Sequence, residues 1–405
     1  MLRDLCVRQA HEEHFLYVAR SLTDLHEITN TKQCLSIHPD VLYLYETHDS
    51  LKSIPLIRSL LCTGTHLYNY LAPVFIGFRL MRVLDVVVIH FYDFPDEIIE
   101  LCNLRYLGFT YRGQLSKSIS KLLNLETIVH HNWTFGQRPS LPQEIWMMPR
   151  LRHLYLTPNC LPDPPVALKG NNYCRLEHLK TLMEARELIL RKRILEKIPN
   201  LKKLELSYYP VSSPEEWSYY QLENLVNMHH LESLKFLVKD PPTNRYISPA
   251  KLAFPPKLKS LTLSGGRIAW EDMAIVGSLP NLKVLKLQNY AFQGPEWEPI
   301  EGEFCKLKFL LIEKTDLEQW IADCTHFSRL QRLILKECFT LKDVPSGIGE
   351  MPTLNIIELF DCLHSVVTSA KQIQEEQESF GNDTLEIHVY TRRIFKDKFH
   401  TRILH

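Results

Sequence analysis

A chain of 405 residues with 45% hydrophobic and 23% charged side chains has the composition of a folded, soluble protein. Its 47 lysines and arginines balance 47 aspartates and glutamates, so no overall field draws it to nucleic acid or an anionic membrane. The ten cysteines are scattered singly without a CxxC pair, which fits reduced thiols better than a disulfide framework.

The opening segment, MLRDLCVRQAHEEHFLYV, is interrupted by charges and lacks the unbroken apolar run of a secretory signal. No later stretch reaches the roughly 18–20 apolar residues that a membrane helix needs. A cytoplasmic location is therefore expected. Residues 1–25 are helical in pattern and read as a remnant of a preceding domain. Residues 26–56 read as an N-terminal capping segment, with an opening strand that turns Leu35 and Ile37 inward.

From residue 57 to residue 362 the pattern LxxLxL recurs about thirteen times. Clear copies include Leu104-Leu107-Phe109, Leu151-Leu154-Leu156, Leu261-Leu263 after Leu258, and Leu282-Leu285-Leu287; weaker ones begin at Ile57, Met81, Leu125 and Leu179. The fourth and sixth positions lie two residues apart, so on a strand both point into the interior, and the first enters the same core as the chain turns. The third, fifth and seventh positions face outward. Stacking such units builds a parallel sheet with a return segment behind each strand, because no single repeat can bury its own apolar face. The predicted fold is α/β, a leucine-rich-repeat solenoid: a curved parallel β-sheet with irregular or helical returns.

The returns carry Phe94-Pro95, Leu141-Pro142 and Val344-Pro345 at equivalent places, followed by the inner-face pairs Ile98-Leu101, Ile119-Leu122 and Ile145-Met148. Proline there stops the strand ladder. Cys338 and Cys362 hold the ninth position of their repeats, where a cysteine satisfies buried turn backbone. Residues 363–405 read as a C-terminal cap helix, strand and tail. Val366, Ala370, Ile373, Gln377 and Phe380 share one helical face, Gly381-Asn382 stops the helix, and Leu385 to Val389 alternates like a last strand.

Catalysis finds no support: GxSxG, HExxH and a Ser/His/Asp set are all missing, and no cofactor or metal is implied. His130-His131 and His229-His230 are adjacent pairs whose members would point to opposite faces of a strand. The outward, concave positions of the early repeats carry Tyr106, Thr110, His131, His153, Tyr155 and Thr157, then Glu205 and Ser207, with Tyr208 just beyond. Tyr106, His131, His153, Tyr155 and Tyr208 read as a protein-binding surface, since tyrosine gives contact area at low entropic cost. The other reading is that tyrosines simply tolerate strand edges. Trp133 is either a rim anchor or a packed turn residue.

A second feature is a column at the repeats' second position, nine of thirteen being basic. Arg82, Arg105, Arg152, Lys180 and Lys202 form its early part, a basic rim. It is either a solvated strand entrance or a dock for an acidic surface, since like charges one strand apart need acids, salt or a partner to offset them.

The repeats with Val344-Pro345 resemble the leucine-rich-repeat region of plant intracellular immune receptors. MLRDLCVRQAHEEHFL resembles the segment that follows the nucleotide-binding domain in coiled-coil receptors of the nightshade late-blight-resistance class. SAKQIQEEQESFGNDTLEIHV resembles that class's carboxyl-terminal cap. The resemblance implies a defence protein whose repeats recognise a pathogen effector or a guarded host protein, or hold a nucleotide-binding domain closed. It does not extend to nucleotide binding: there is no GxxxxGK[ST] loop, and the family's Met-His-Asp motif is not intact, since Leu2 follows Met1. The alternative functions are a stand-alone repeat scaffold and a ubiquitin-ligase substrate adaptor, although residues 1–30 are short for an adaptor-binding module.

Overall fold

The computed structural model describes residues 16–26, 33–42, 51, 56–65, 67–69, 78–132, 141–165, 175–211, 213–239, 249 and 252–391. The chain divides into two units, Met1–Leu188 with Arg193–Leu201, and Ile189–Lys192 with Lys202–His405.

In the first unit the strands are β1 (Leu16–Ala19), β2 (Cys34–Ile37), β3 (Ser59–Cys62), β4 (Leu67–Asn69), β5 (Val83–Phe91), β6 (Tyr106–Tyr111), β7 (Thr127–His131), β8 (His153–Asn159) and β9 (Thr181–Arg186). They pair in parallel in chain order, except that β3 pairs with β5 and the short β4 lies along the second half of β5. The second unit contains β10 (Lys203–Tyr208), β11 (Ser233–Val238), β12 (Ser260–Ser264), β13 (Ile268–Ala269), β14 (Val284–Gln288), β15 (Phe292–Gln293) and β16 (Glu296–Trp297). It continues with β17 (Phe309–Glu313), β18 (Gln319–Trp320), β19 (Arg332–Lys336), β20 (Ile356–Phe360) and β21 (Glu386–Tyr390). Its sheet runs β10-β11-β12-β14-β17-β19-β20-β21, all parallel, while β13–β15 and β16–β18 are two small ladders in the returns.

Each repeat's strand starts at the third position of its LxxLxL copy, from Ser59 to Ile356. The register follows the leucines: Leu261 pairs with Leu285, then Leu310, Leu333 and Ile357, and Leu263 pairs with Leu287, then Ile312, Leu335 and Leu359. All of these are buried, as are the first-position residues Leu258, Leu282, Leu307, Leu330 and Leu354. Each such leucine contributes about 1.5–3 kcal/mol of burial, and the neighbouring repeat supplies the surface that covers it. Second-position residues stack as a backbone column, the N–H of Arg105 donating to Arg82 O and that of Glu126 to Arg105 O, both at 2.8 Å. Just before it runs an asparagine ladder that the leucine pattern did not disclose. Asn103, Asn124, Asn200 and Asn281 donate from their side-chain amides to Arg79, Cys102, Glu177 and Pro256 carbonyls of the preceding repeat, at 2.9–3.0 Å.

The returns include short 3-10 turns and, in places, short α-helices such as Pro214–Tyr219. Pro95 and Pro142 sit immediately before Asp96–Glu100 and Gln143–Met147, while Ser116 fills the same place before Lys117–Lys121 and accepts from the Ser118 N–H. Ile98, Ile119 and Ile145 are fully buried. In the second unit the returns carry an indole stack. Trp270 and Trp297 lie 4.8 Å apart at 18°, and Trp297 and Trp320 lie 5.4 Å apart at 6°, flanked by Phe292, Phe304 and Phe327.

Two expectations at the ends need correction. The helical reading of residues 1–25 fails over Leu16–Ala19, which form a strand on β2, because alternation turns Tyr17 and Ala19 inward. A short helical turn, Leu22–His26, follows, and residues 1–15 lie outside the described residues. At the other end the helix His364–Ser379 buries Val366, Ala370 and Ile373, but Phe380 is 83% exposed. The helix ends one residue before it. Gly381 takes the left-handed conformation (φ 81°), and the Asn382 N–H caps Gln377 O at 2.9 Å, which swings Phe380 off the apolar stripe.

Candidate protein-recognition face

The outward face of β5 to β9 is built by alternation. In its first row Val83, Tyr106, Thr127, His153 and Thr181 stand side by side, and in the next Asp85, Gly108, Val129, Tyr155 and Met183. Tyr106 is half-buried and its hydroxyl donates to Asp85 Oδ2 at 3.3 Å. Burial first, then the Asp85 carboxylate, pushes the phenol up to about 12, so it stays a neutral donor. Gly108 makes this pairing possible. A Cβ there would lie 2.9 Å from Asp85 Oδ1, 3.0 Å from Val87 Cγ2 and 3.2 Å from Tyr106 Cε1. His153 Nδ1 is 3.1 Å from Thr181 Oγ1, Tyr155 is 37% exposed, and His131 is half-buried one row further along β7.

Tyr106, His131, His153 and Tyr155 thus occupy one face of three consecutive strands. Tyr208 does not join them. It lies two residues after the inward Leu206, shares its parity, and is 0% exposed in an aromatic cluster with Trp217, Tyr220 and Phe236. Thr110 has outward parity but is buried. The register of β5 shifts between Val86 and His90, and Thr110 Oγ1 donates to Val87 O at 2.6 Å. Glu205 and Ser207 are likewise buried, Glu205 accepting an ion pair from Lys235 at 3.0 Å. Trp133 lies outside the described residues.

The basic rim is partly neutralised from within. Arg105 and Arg152 straddle Glu126 at 3.7 and 3.6 Å, and Lys202 and Lys259 straddle Glu232 at 3.0 and 2.8 Å. The two lysines, Lys259 foremost, hold the Glu232 carboxyl down to about 2. Among the described residues, Arg82 and Lys180 meet no carboxylate within ion-pair distance. The two glutamates of the column, Glu126 and Glu232, are therefore its counter-charges.

Cys338 and Cys362 serve backbone. Their thiols donate to Ile312 O at 3.5 Å and Leu335 O at 3.3 Å. The bond to the Cys362 thiol, then burial, raises Cys338 well above the ordinary thiol range. Among the described residues no three His, Cys, Asp or Glu side chains are grouped to hold a metal ion, and no helix is long and apolar enough to cross a membrane.

Comparison with known proteins agrees with this architecture. Two solved structures share the fold: a leucine-rich-repeat protein of Leptospira interrogans (TM-score 0.52, 16% identity, 91% of this chain and 99% of that one) and an internalin of Listeria monocytogenes (TM-score 0.53, 16% identity, 84% and 88%). Late blight resistance protein homologs R1B-13 and R1B-23 of Solanum demissum are 32% and 30% identical over 95% and 96% of this chain. The chain spans about a third of their length, 34% and 32% respectively. The family model described as a leucine-rich repeat region matches residues 56–269, more than half of the chain. With strand register, buried leucines and family match in agreement, the chain belongs to the leucine-rich-repeat family.

Proposed function

We propose that this chain is the protein-recognition part of a plant immune receptor, acting in the cytoplasm. Its ligand is a protein, either a pathogen effector or the nucleotide-binding domain of a related receptor, which it would hold inactive. One observation carries the reading: Tyr106, His131, His153 and Tyr155 lie on one outward face of β6, β7 and β8, with the core fully supplied by other residues. Aromatic rings with polar tips, placed on a rigid sheet, suit a protein interface, because little conformational entropy is lost when a partner settles on them. The resistance-type relatives supply the setting.

The test immobilises the full chain and titrates it with the nucleotide-binding domain of a related receptor and, separately, with secreted proteins of the late blight pathogen. Binding by one of these classes is expected, with about a tenfold or greater loss in the Tyr106→Ala/His153→Ala/Tyr155→Ala variant. Binding that survives the triple substitution, or no binding by either class, contradicts the proposal. The rim adds a second readout for the nucleotide-binding domain. Arg82 and Lys180 contribute uncompensated charge, so Arg82→Glu/Lys180→Glu should slow association more than Arg105→Glu, whose charge is already shared with Glu126.

A further inference from the structure

The second unit carries an outward surface of different chemistry. Outward positions of a leucine-rich repeat are ordinarily polar, and β12 follows that rule with Ser260, Thr262 and Ser264. On the next three strands the rule breaks. Val284 of β14 pairs with Phe309 of β17, Leu311 lies two residues along from Phe309, and Leu311 pairs with Ile334 of β19. These four side chains form one continuous apolar track, each of them only half-buried.

The charges around the track are unequal. On its far side Glu313 is taken by Lys336 at 2.6 Å and Gln288 at 2.7 Å, and Glu358 by Arg332 at 2.6 Å. On its near side stand Lys283 and Lys308 in the second-position column, exposed, with Lys286 on the face itself, its ammonium 5.5 Å from the Phe309 ring centre. Among the described residues none of these three lysines has a carboxylate within ion-pair distance. Every acid beside the track is already paired, so its unspent charge is entirely positive. An apolar track with committed acids and free ammonium groups is complementary to a segment carrying both apolar side chains and carboxylates, since the charges select the sign of the partner and the track supplies buried area.

We propose that the outward face of β14, β17 and β19 is a second docking surface, and that its occupant is an acidic, apolar segment of a partner protein. The surface is independent of the face on β6 to β8, and the proposal stands whether or not that face binds.

The experiment pans random dodecapeptides displayed on phage against the full chain, with counter-selection on Lys283→Glu/Lys308→Glu. The expected outcome is enrichment of peptides carrying two or more Asp or Glu around Leu, Ile, Phe or Trp. A synthetic peptide of enriched sequence should lose about tenfold in affinity on Lys283→Glu/Lys308→Glu and on Leu311→Ser, and nothing on Tyr106→Ala/His153→Ala/Tyr155→Ala. The lysine variant alters only exposed side chains, so it decides the matter if Leu311→Ser proves unstable. No enrichment, enrichment of neutral or basic peptides, or affinity unchanged by the lysine variant would overturn the proposal.

Discussion

His130 stacks on Phe109 at 4.7 Å in the core, while His131, the next residue of β7, sits at the outward surface. Burial holds His130 down to about 4, below the 6.5 of an exposed imidazole. Between those values the unfolded chain binds a proton that the folded chain refuses. The stability is therefore intact above about pH 6.5 and is lost as the pH falls toward 4. Replacing His130 by Phe should flatten that dependence, sparing on the order of 2 kcal/mol of the loss between pH 7 and pH 5, read from urea midpoints at the two values. An equal loss in both proteins would place the histidine in contact with water. The opposite orientation of this pair was legible, because adjacency on a strand leaves no other arrangement. The same parity, counted from the inward Leu206, assigns Tyr208 to the core. The Gly108 contribution was not legible, because a missing side chain gives no positive signal. Gly108→Ala should push Tyr106 off Asp85 and weaken partner binding, a change that competition against the unsubstituted chain would detect.

At the scale of the element, the sequence pattern marks the strands more sharply than the returns. LxxLxL fixes phase, and phase fixes which side chains are covered, so the strand starts coincide with third positions along the whole array. Returns vary in length, and their contacts repeat in space without repeating at one spacing. The Trp270, Trp297 and Trp320 stack is the clearest case: its members are close to one repeat apart, which is a signal, but they fall outside the leucine motif. Trp297→Ala should cost about 3–5 kcal/mol, since an indole stacked on both sides leaves a cavity its rigid neighbours cannot fill. The asparagine ladder was visible only as Asn before the first leucine. Asn281→Ala should cost about 1 kcal/mol by removing its bond to the Pro256 carbonyl and the one its Oδ1 accepts from the Lys306 ammonium at 3.1 Å. Both values follow from urea unfolding, and a neutral Trp297→Ala would mean that the stack carries no load.

At the scale of the whole molecule, a leucine-rich repeat divides its residues by parity into those that hold neighbouring repeats together and those left for a partner. The outward placement of Tyr106, His131, His153 and Tyr155 in the first unit was legible from their positions in the repeat. The apolar track of the second was not, because Val284, Phe309, Leu311 and Ile334 look like ordinary core residues until their phase against Leu285, Leu310 and Leu333 is counted. That acids offset the basic column was legible, but which ones was not, since a pair such as Arg105 and Glu126 joins residues 21 apart in the chain only through strand register. The division by parity is what native-state hydrogen exchange tests most directly, with Leu285→Ala measured beside Tyr155→Ala. Leu285→Ala should remove about 2–5 kcal/mol and lower amide protection in β12 and β17 as well as β14, because the buried side chain belongs to three repeats at once. Tyr155→Ala should leave protection in β7, β8 and β9 unchanged. Loss confined to the residues around 285, or equal loss for the two substitutions, would contradict the account.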